Sequence, residues 1–159
     1  MPKCTNYAVN RVSYRLTLSV GENFNNVHLN LTNNSNSVVQ VVWDETVLRM
    51  PSGDSTGIIH EGIRYSERSS SQANTPVAPS SNLEDFMIPK ATIRYSDFLE
   101  KWQYKLFNIV VRSSDVRNSI TVFGYTQTVS GVLTLIVGNK KVYENFSLTC
   151  TVKPGEYRF

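Results

Sequence analysis

Residues 12–20 read Val-Ser-Tyr-Arg-Leu-Thr-Leu-Ser-Val, an unbroken alternation of apolar and polar side chains. A period of two places successive side chains on opposite faces, which suits a half-buried strand and no helix. The pattern returns wherever the chain is regular. Val27, Leu29 and Leu31 alternate with His28, Asn30 and Thr32. Residues 38–43 are apolar on both faces, as in a central strand. Residues 107–111, 120–125 and 132–137 are β-branched and aromatic runs. Gly138-Asn139-Lys140-Lys141 then turns the chain back. In the return strand Val142, Phe146, Leu148, Cys150 and Val152 fall on one face, and Tyr143, Asn145, Ser147, Thr149 and Thr151 on the other.

Helical signal is confined to residues 96–102, where Ser96 could cap a turn carrying Phe98, Leu99 and Trp102 on one face. Residues 58–65 suggest a short strand pair interrupted at Gly62, and residues 66–82, rich in Ser with Pro76 and Pro79, an exposed loop or edge. The expected fold is all-β: an antiparallel, immunoglobulin-like β-sandwich with at most one short helix. Residues 1–10 are expected to be a lead segment, and 11–159 the sandwich domain.

Charge argues against nucleic acid as a partner. Only 18% of residues are charged, against roughly 25% in ordinary domains. The net charge is +3 and the basic residues are scattered apart from Lys140-Lys141. A nucleic-acid binder concentrates such charge in a stripe. No stretch approaches the ~20 apolar residues of a membrane-spanning helix, and no hydrophobic run follows Met1-Pro2-Lys3 as in a signal peptide.

Groups that could do chemistry are few and badly placed. His28 should point outward. His60 neighbours Glu61, but adjacent strand residues face opposite ways, so the two should not act together. No Ser or Cys lies in a nucleophile context, and no metal-ligand spacing occurs. Asp44-Glu45 and Glu84-Asp85 at loop ends could ligate calcium, yet without the usual spacing. Asn30, Asn33 and Asn145 open glycosylation-type triplets. Neither an enzyme nor a cofactor is expected. Cys4 and Cys150 lie 146 positions apart, open to three readings: a buried thiol at Cys150, a disulfide between them, or a lipid on Cys4.

One stretch carries a resemblance. Leu29-Asn30-Leu31-Thr32-Asn33-Asn34-Ser35, Val41-Val42-Trp43-Asp44-Glu45, Gly57-Ile58-Ile59-His60-Glu61-Gly62-Ile63-Arg64-Tyr65 and Thr75-Pro76-Val77-Ala78-Pro79, followed by Leu83-Glu84-Asp85, resemble small bacterial envelope lipoproteins of uncharacterised function. The likeness spans about residues 27–89. The small residues that precede a lipid-bearing cysteine are missing before Cys4. The resemblance implies a lipid on Cys4 and a periplasmic or surface location in the bacterial cell envelope. The expectation is a non-enzymatic domain that binds another protein and meets the membrane only through that lipid. Trp43, Asp44, His60, Arg64 and Tyr65 are its candidate contact residues. The competing expectations are a virion or tail component and a carbohydrate-binding or hydrolytic module.

Overall fold

The computed structural model describes residues 3–21, 24–107, 112–113, 119–122, 125–153 and 155–158. The strands run in chain order as β1 (Lys3–Cys4), β2 (Tyr7–Asn10), β3 (Tyr14–Val20), β4 (Val27–Asn33), β5 (Val39–Val41), β6 (Val47–Arg49), β7 (Ser55–His60), β8 (Thr75–Val77), β9 (Asn82–Pro89), β10 (Arg94–Ser96), β11 (Lys101–Gln103), β12 (Arg112–Ser113), β13 (Ser119–Val122), β14 (Tyr125–Val137), β15 (Lys140–Val152) and β16 (Gly155–Arg158). The fold is all-β, and its main body is one curled antiparallel sheet in the order β1-β15-β14-β6-β7-β9-β4-β3-β2, with β5 and β8 added beside β14. The strand expected at residues 107–111 lies mainly outside the described residues.

The alternation read from the sequence places the core. Leu16 and Leu18 of β3, Leu29 and Leu31 of β4, and Leu133, Leu135 and Leu148 of the C-terminal hairpin are fully buried and share one cluster with Trp43. Gly138 and Asn139 form the two-residue connection between Val137 and Lys140, with Gly138 at φ 61°. Such loops favour positive φ because their twist matches that of the flanking strands.

The two ends of the sheet path are consecutive in sequence. β1 pairs with β15 at one edge and β2 pairs with β3 at the other, so one bent segment reaches both edges of the curl. Residues 3–10, expected as a lead, are therefore structural strands. The reason is non-local: β1 has no alternation long enough to read, and its partner lies at residues 150–151.

Three further expectations are corrected. Residues 96–102 make no helix. β10 and β11 form a hairpin with Ser96 opposite Lys101, and the hydroxyl of Ser96 does cap the Leu99 N–H, within the hairpin loop. Two strands that each find a partner satisfy more backbone groups than one isolated helical turn. Residues 58–65 make no strand pair: β7 ends at His60, and Gly62, at φ 92°, turns the chain into a 3-10 turn at Tyr65–Glu67. Trp43 likewise sits in a 3-10 turn, Trp43–Glu45, directly after β5.

Cys4 and Cys150 face each other across β1 and β15 and form a disulfide. A sulfur so bonded cannot carry a thioether-linked lipid, so this pairing overturns both the lipid site on Cys4 and the free buried thiol at Cys150.

Candidate functional site

Of the five contact residues expected from sequence, the structure brings three together, with Trp43 and His60 stacked within the fold and Asp44 exposed beside them. Trp43 is fully buried, and its ring stacks on His60 with centroids 4.5 Å apart and planes 8° from parallel. Its indole Nε1 donates to Thr75 Oγ1 at 2.8 Å. His60 Nδ1 lies 3.1 Å from Asp85 Oδ2. The other oxygen of Asp85 accepts from the backbone N–H groups of Glu61 and Phe86. Asp44 accepts from both the backbone and the side-chain nitrogen of Gln72.

Gln72 explains why the Ser-rich segment holds its place. Its amide accepts from the His60 N–H and donates to the Ile58 carbonyl, standing in for a missing neighbour strand along β7. The segment expected as an exposed loop or edge is mostly exposed and ends in the edge strand β8, paired with β5, and one buried side chain pins it. The paired acids weighed as calcium ligands are dispersed instead. Glu45 takes Lys141, Glu84 accepts from Asn30, and Asp85 takes His60. Asn33 is buried and bonded to the carbonyls of Ser37 and Val77, so the triplet it opens is closed to modification.

The other two expected residues lie on a different surface. Arg64 is exposed. Tyr65 joins Trp102 and Tyr104, at ring centroid distances of 5.9 and 5.7 Å. Burial, and then its neighbour Tyr104, push the Tyr65 phenol above its ordinary pKa. Tyr95 meets Trp102 edge-on at 5.5 Å, and the Arg68 guanidinium sits 5.5 Å from the Trp102 ring centre. These aromatic and cation–π contacts brace the β10–β11 hairpin from behind. Its tip points outward: Phe98 is 94% exposed and Leu99 46%. A cleft of about 260 Å³ between the two groups is lined by His60, Glu61, Tyr65, Phe86 and Tyr104 among others.

Sequence reasoning missed Gln72 and Tyr104, and gave Asp85 and Trp102 other roles, as a calcium ligand and on a helical face. It also missed Glu144, for which a signal existed. Glu144 lies on the apolar face of β15, between Val142 and Phe146, and is buried. A charge at an inward position demands partners. It has them in Arg11, which donates through Nε and Nη2 at 2.8 and 3.0 Å, and in the hydroxyls of Tyr7, at 2.8 Å, and Tyr14. The Arg11 guanidinium first, then the two phenols, hold the Glu144 pKa at about 2 against the opposing effect of burial. Burial and the Glu144 carboxylate in turn raise that of Tyr14.

No protein-family model and no curated protein matches the chain. Among solved structures, a protein from Archaeoglobus fulgidus aligns over 99% of this chain and 95% of its own length, at 10% identity and a TM-score of 0.32. At that level the likeness assigns neither an activity nor a fold family, and the chemistry rests on the residues described above.

Proposed function

We propose that this chain is a non-enzymatic domain of the bacterial cell envelope that binds another protein through the β10–β11 hairpin. One observation carries the reading: Phe98 stands 94% exposed at the tip of a hairpin whose Trp102 packs with Tyr95 across the hairpin and against the Tyr65 ring and the Arg68 guanidinium beneath it. A large apolar side chain held out on a braced support is how protein-binding surfaces present an anchor. The Cys4–Cys150 disulfide supports an oxidising compartment, because reducing cytosol keeps such thiols apart. An envelope location now draws its support from that bond and not from a lipid.

The finer architecture belongs to the same proposal. We take the two flanks of the curled sheet to act as the layers of an immunoglobulin-like sandwich. In support, Leu16, Leu29 and Leu31 from one flank and Leu133, Leu135 and Leu148 from the other share one buried cluster.

The test is capture from a bacterial envelope extract with the disulfide-intact chain and with a Phe98→Ala, Leu99→Ser double variant. A partner recovered by the first and lost with the second is expected. Recovery of the same abundant proteins by both sinks the proposal.

A further inference from the structure

Among the described residues the curl of the sheet does not close by backbone pairing. β15 is thirteen residues long and pairs with β14 in one unbroken register. On its other side β1 covers only residues 149–151 before the chain leaves to join β3. At Thr149 both backbone groups point to that side: its carbonyl accepts from the Thr5 N–H, and its N–H donates to the Thr5 hydroxyl. Outward-pointing groups recur at every second residue of an antiparallel strand. Those of Ser147, Asn145 and Tyr143 therefore face the same way, past the end of β1, and meet no partner among the described residues. The opposite rim matches. The Arg11 N–H donates to the Tyr14 carbonyl, so the groups of Ala8 and Asn10 alternate away from β3. They too are without partners among the described residues.

Two unpaired strand edges thus border one seam, bridged on its inner side by Glu144 with Tyr7, Arg11 and Tyr14. Beside that bridge lies a cleft of about 390 Å³ lined by Val12, Val137, Val142 and Tyr143. Val12 is 98% exposed and Tyr143 58%. Between Val142 and Val152 the edge carries no Lys, no Pro and no bulge, and its one inward-pointing charge, Glu144, is neutralised by Arg11.

We infer that this seam is a strand-addition site that takes an extended segment of a partner protein. Only an extended backbone can satisfy a row of alternating N–H and C=O groups. A single extended segment can pair along β15 past the end of β1, with its side chains reaching the cleft beside the bridge. The cleft asks for apolar side chains at alternate positions. Charge selects the segment's end: Glu144 is neutralised by Arg11, leaving Lys140 exposed next to Val137 to meet an acidic residue. This surface is separate from the β10–β11 hairpin, and shares with the proposal above only that the partner is a protein.

The experiment is backbone amide exchange by NMR on the full, disulfide-intact chain. The probe is the synthetic peptide acetyl-Asp-Glu-Val-Thr-Val-Thr-Val-amide. In the free protein the amides of Tyr143, Asn145 and Ser147 should exchange at least about tenfold faster than those of Glu144, Phe146 and Leu148. Saturating peptide should slow the first three by about tenfold or more. Asn145→Pro removes a donor that no internal bond uses and should abolish this protection. Should that variant fail to fold, Val12→Glu, at an exposed position, should weaken the same peptide by repelling its acidic end. The Phe98→Ala, Leu99→Ser variant should bind the peptide unchanged, so failure of the hairpin reading and failure of this one are separate results. Protection of these amides in the free chain, no change at millimolar peptide, or dimerisation through β15 without peptide would each overturn the inference.

Discussion

Replacing Glu144 with Gln keeps the shape of the seam bridge and removes its charge. In the folded chain the carboxyl is held at about 2, against an ordinary value of 4.5. That gap corresponds to roughly 3 kcal/mol of stability at neutral pH. The folded value lies below the unfolded one, so the stabilisation is fully present above pH 4.5 and fades as pH falls toward 2. By the same linkage about 1.5 kcal/mol should remain at pH 3. Two features keep the variant from losing much more. Arg11 is 53% exposed and can turn its guanidinium into water, so no charge is stranded inside. The Gln carbonyl still offers the Tyr14 hydroxyl an acceptor. Urea denaturation with the disulfide intact reads the difference directly. With a slope of about 1–3 kcal/mol per M, the midpoint should fall by about 1–3 M at pH 7. The deficit relative to wild type should roughly halve at pH 3. A deficit equal at both values would show that Glu144 acts by shape alone, and one below about 0.5 kcal/mol at pH 7 would refute the charged bridge altogether.

Two further perturbations test the frame around the seam. Gly131→Ala should destabilise by about 1–3 kcal/mol, because an added Cβ would meet the Val47 carbonyl oxygen at 2.5 Å and the Phe146 ring at 2.8 Å; thermal unfolding checks it, and an unchanged midpoint would mean that β6 can move away. Reducing the disulfide, or a Cys4→Ala, Cys150→Ala double variant, should remove about 3–5 kcal/mol, since the bond closes a loop of 146 positions; non-reducing peptide mapping should recover the two cysteines on linked peptides, and a lipid on Cys4 would contradict the pairing.

The hairpin of β14 and β15 was legible in its turn and in its inward face, because Gly-Asn between two β-branched runs is a local signal that carries its own geometry, but not in its length: β14 begins at Tyr125, and Lys140 and Lys141 belong to β15. The 66–82 segment was legible as exposed and as an edge, but its anchor was not, because its Ser content says nothing of what Gln72 reaches. Residues 96–102 misled for a related reason. Apolar residues at 98, 99 and 102 fit a helical face, yet in the fold Trp102 packs against Tyr65 and Tyr95 while Phe98 and Leu99 face solvent. Of the expected contact residues, Trp43 and His60 proved to be stacked within the fold, with Asp44 exposed beside them. The exposed hairpin beside Tyr65 went unread, because exposure depends on what the rest of the chain leaves uncovered.

The sequence by itself determined the β character, the inward and outward faces of β3, β4 and β15, and the place of the last turn. All of these follow from the two-residue period of an extended chain and from steric rules at Gly, which act over a few bonds. Tertiary structure alone decided the Cys4–Cys150 bond, the partners of Glu144 and the open seam beside it. Arg11 and Glu144 are 133 positions apart, and Tyr14 and Glu144 are 130. Whether such groups meet depends on how the whole sheet curls, and no local pattern encodes that.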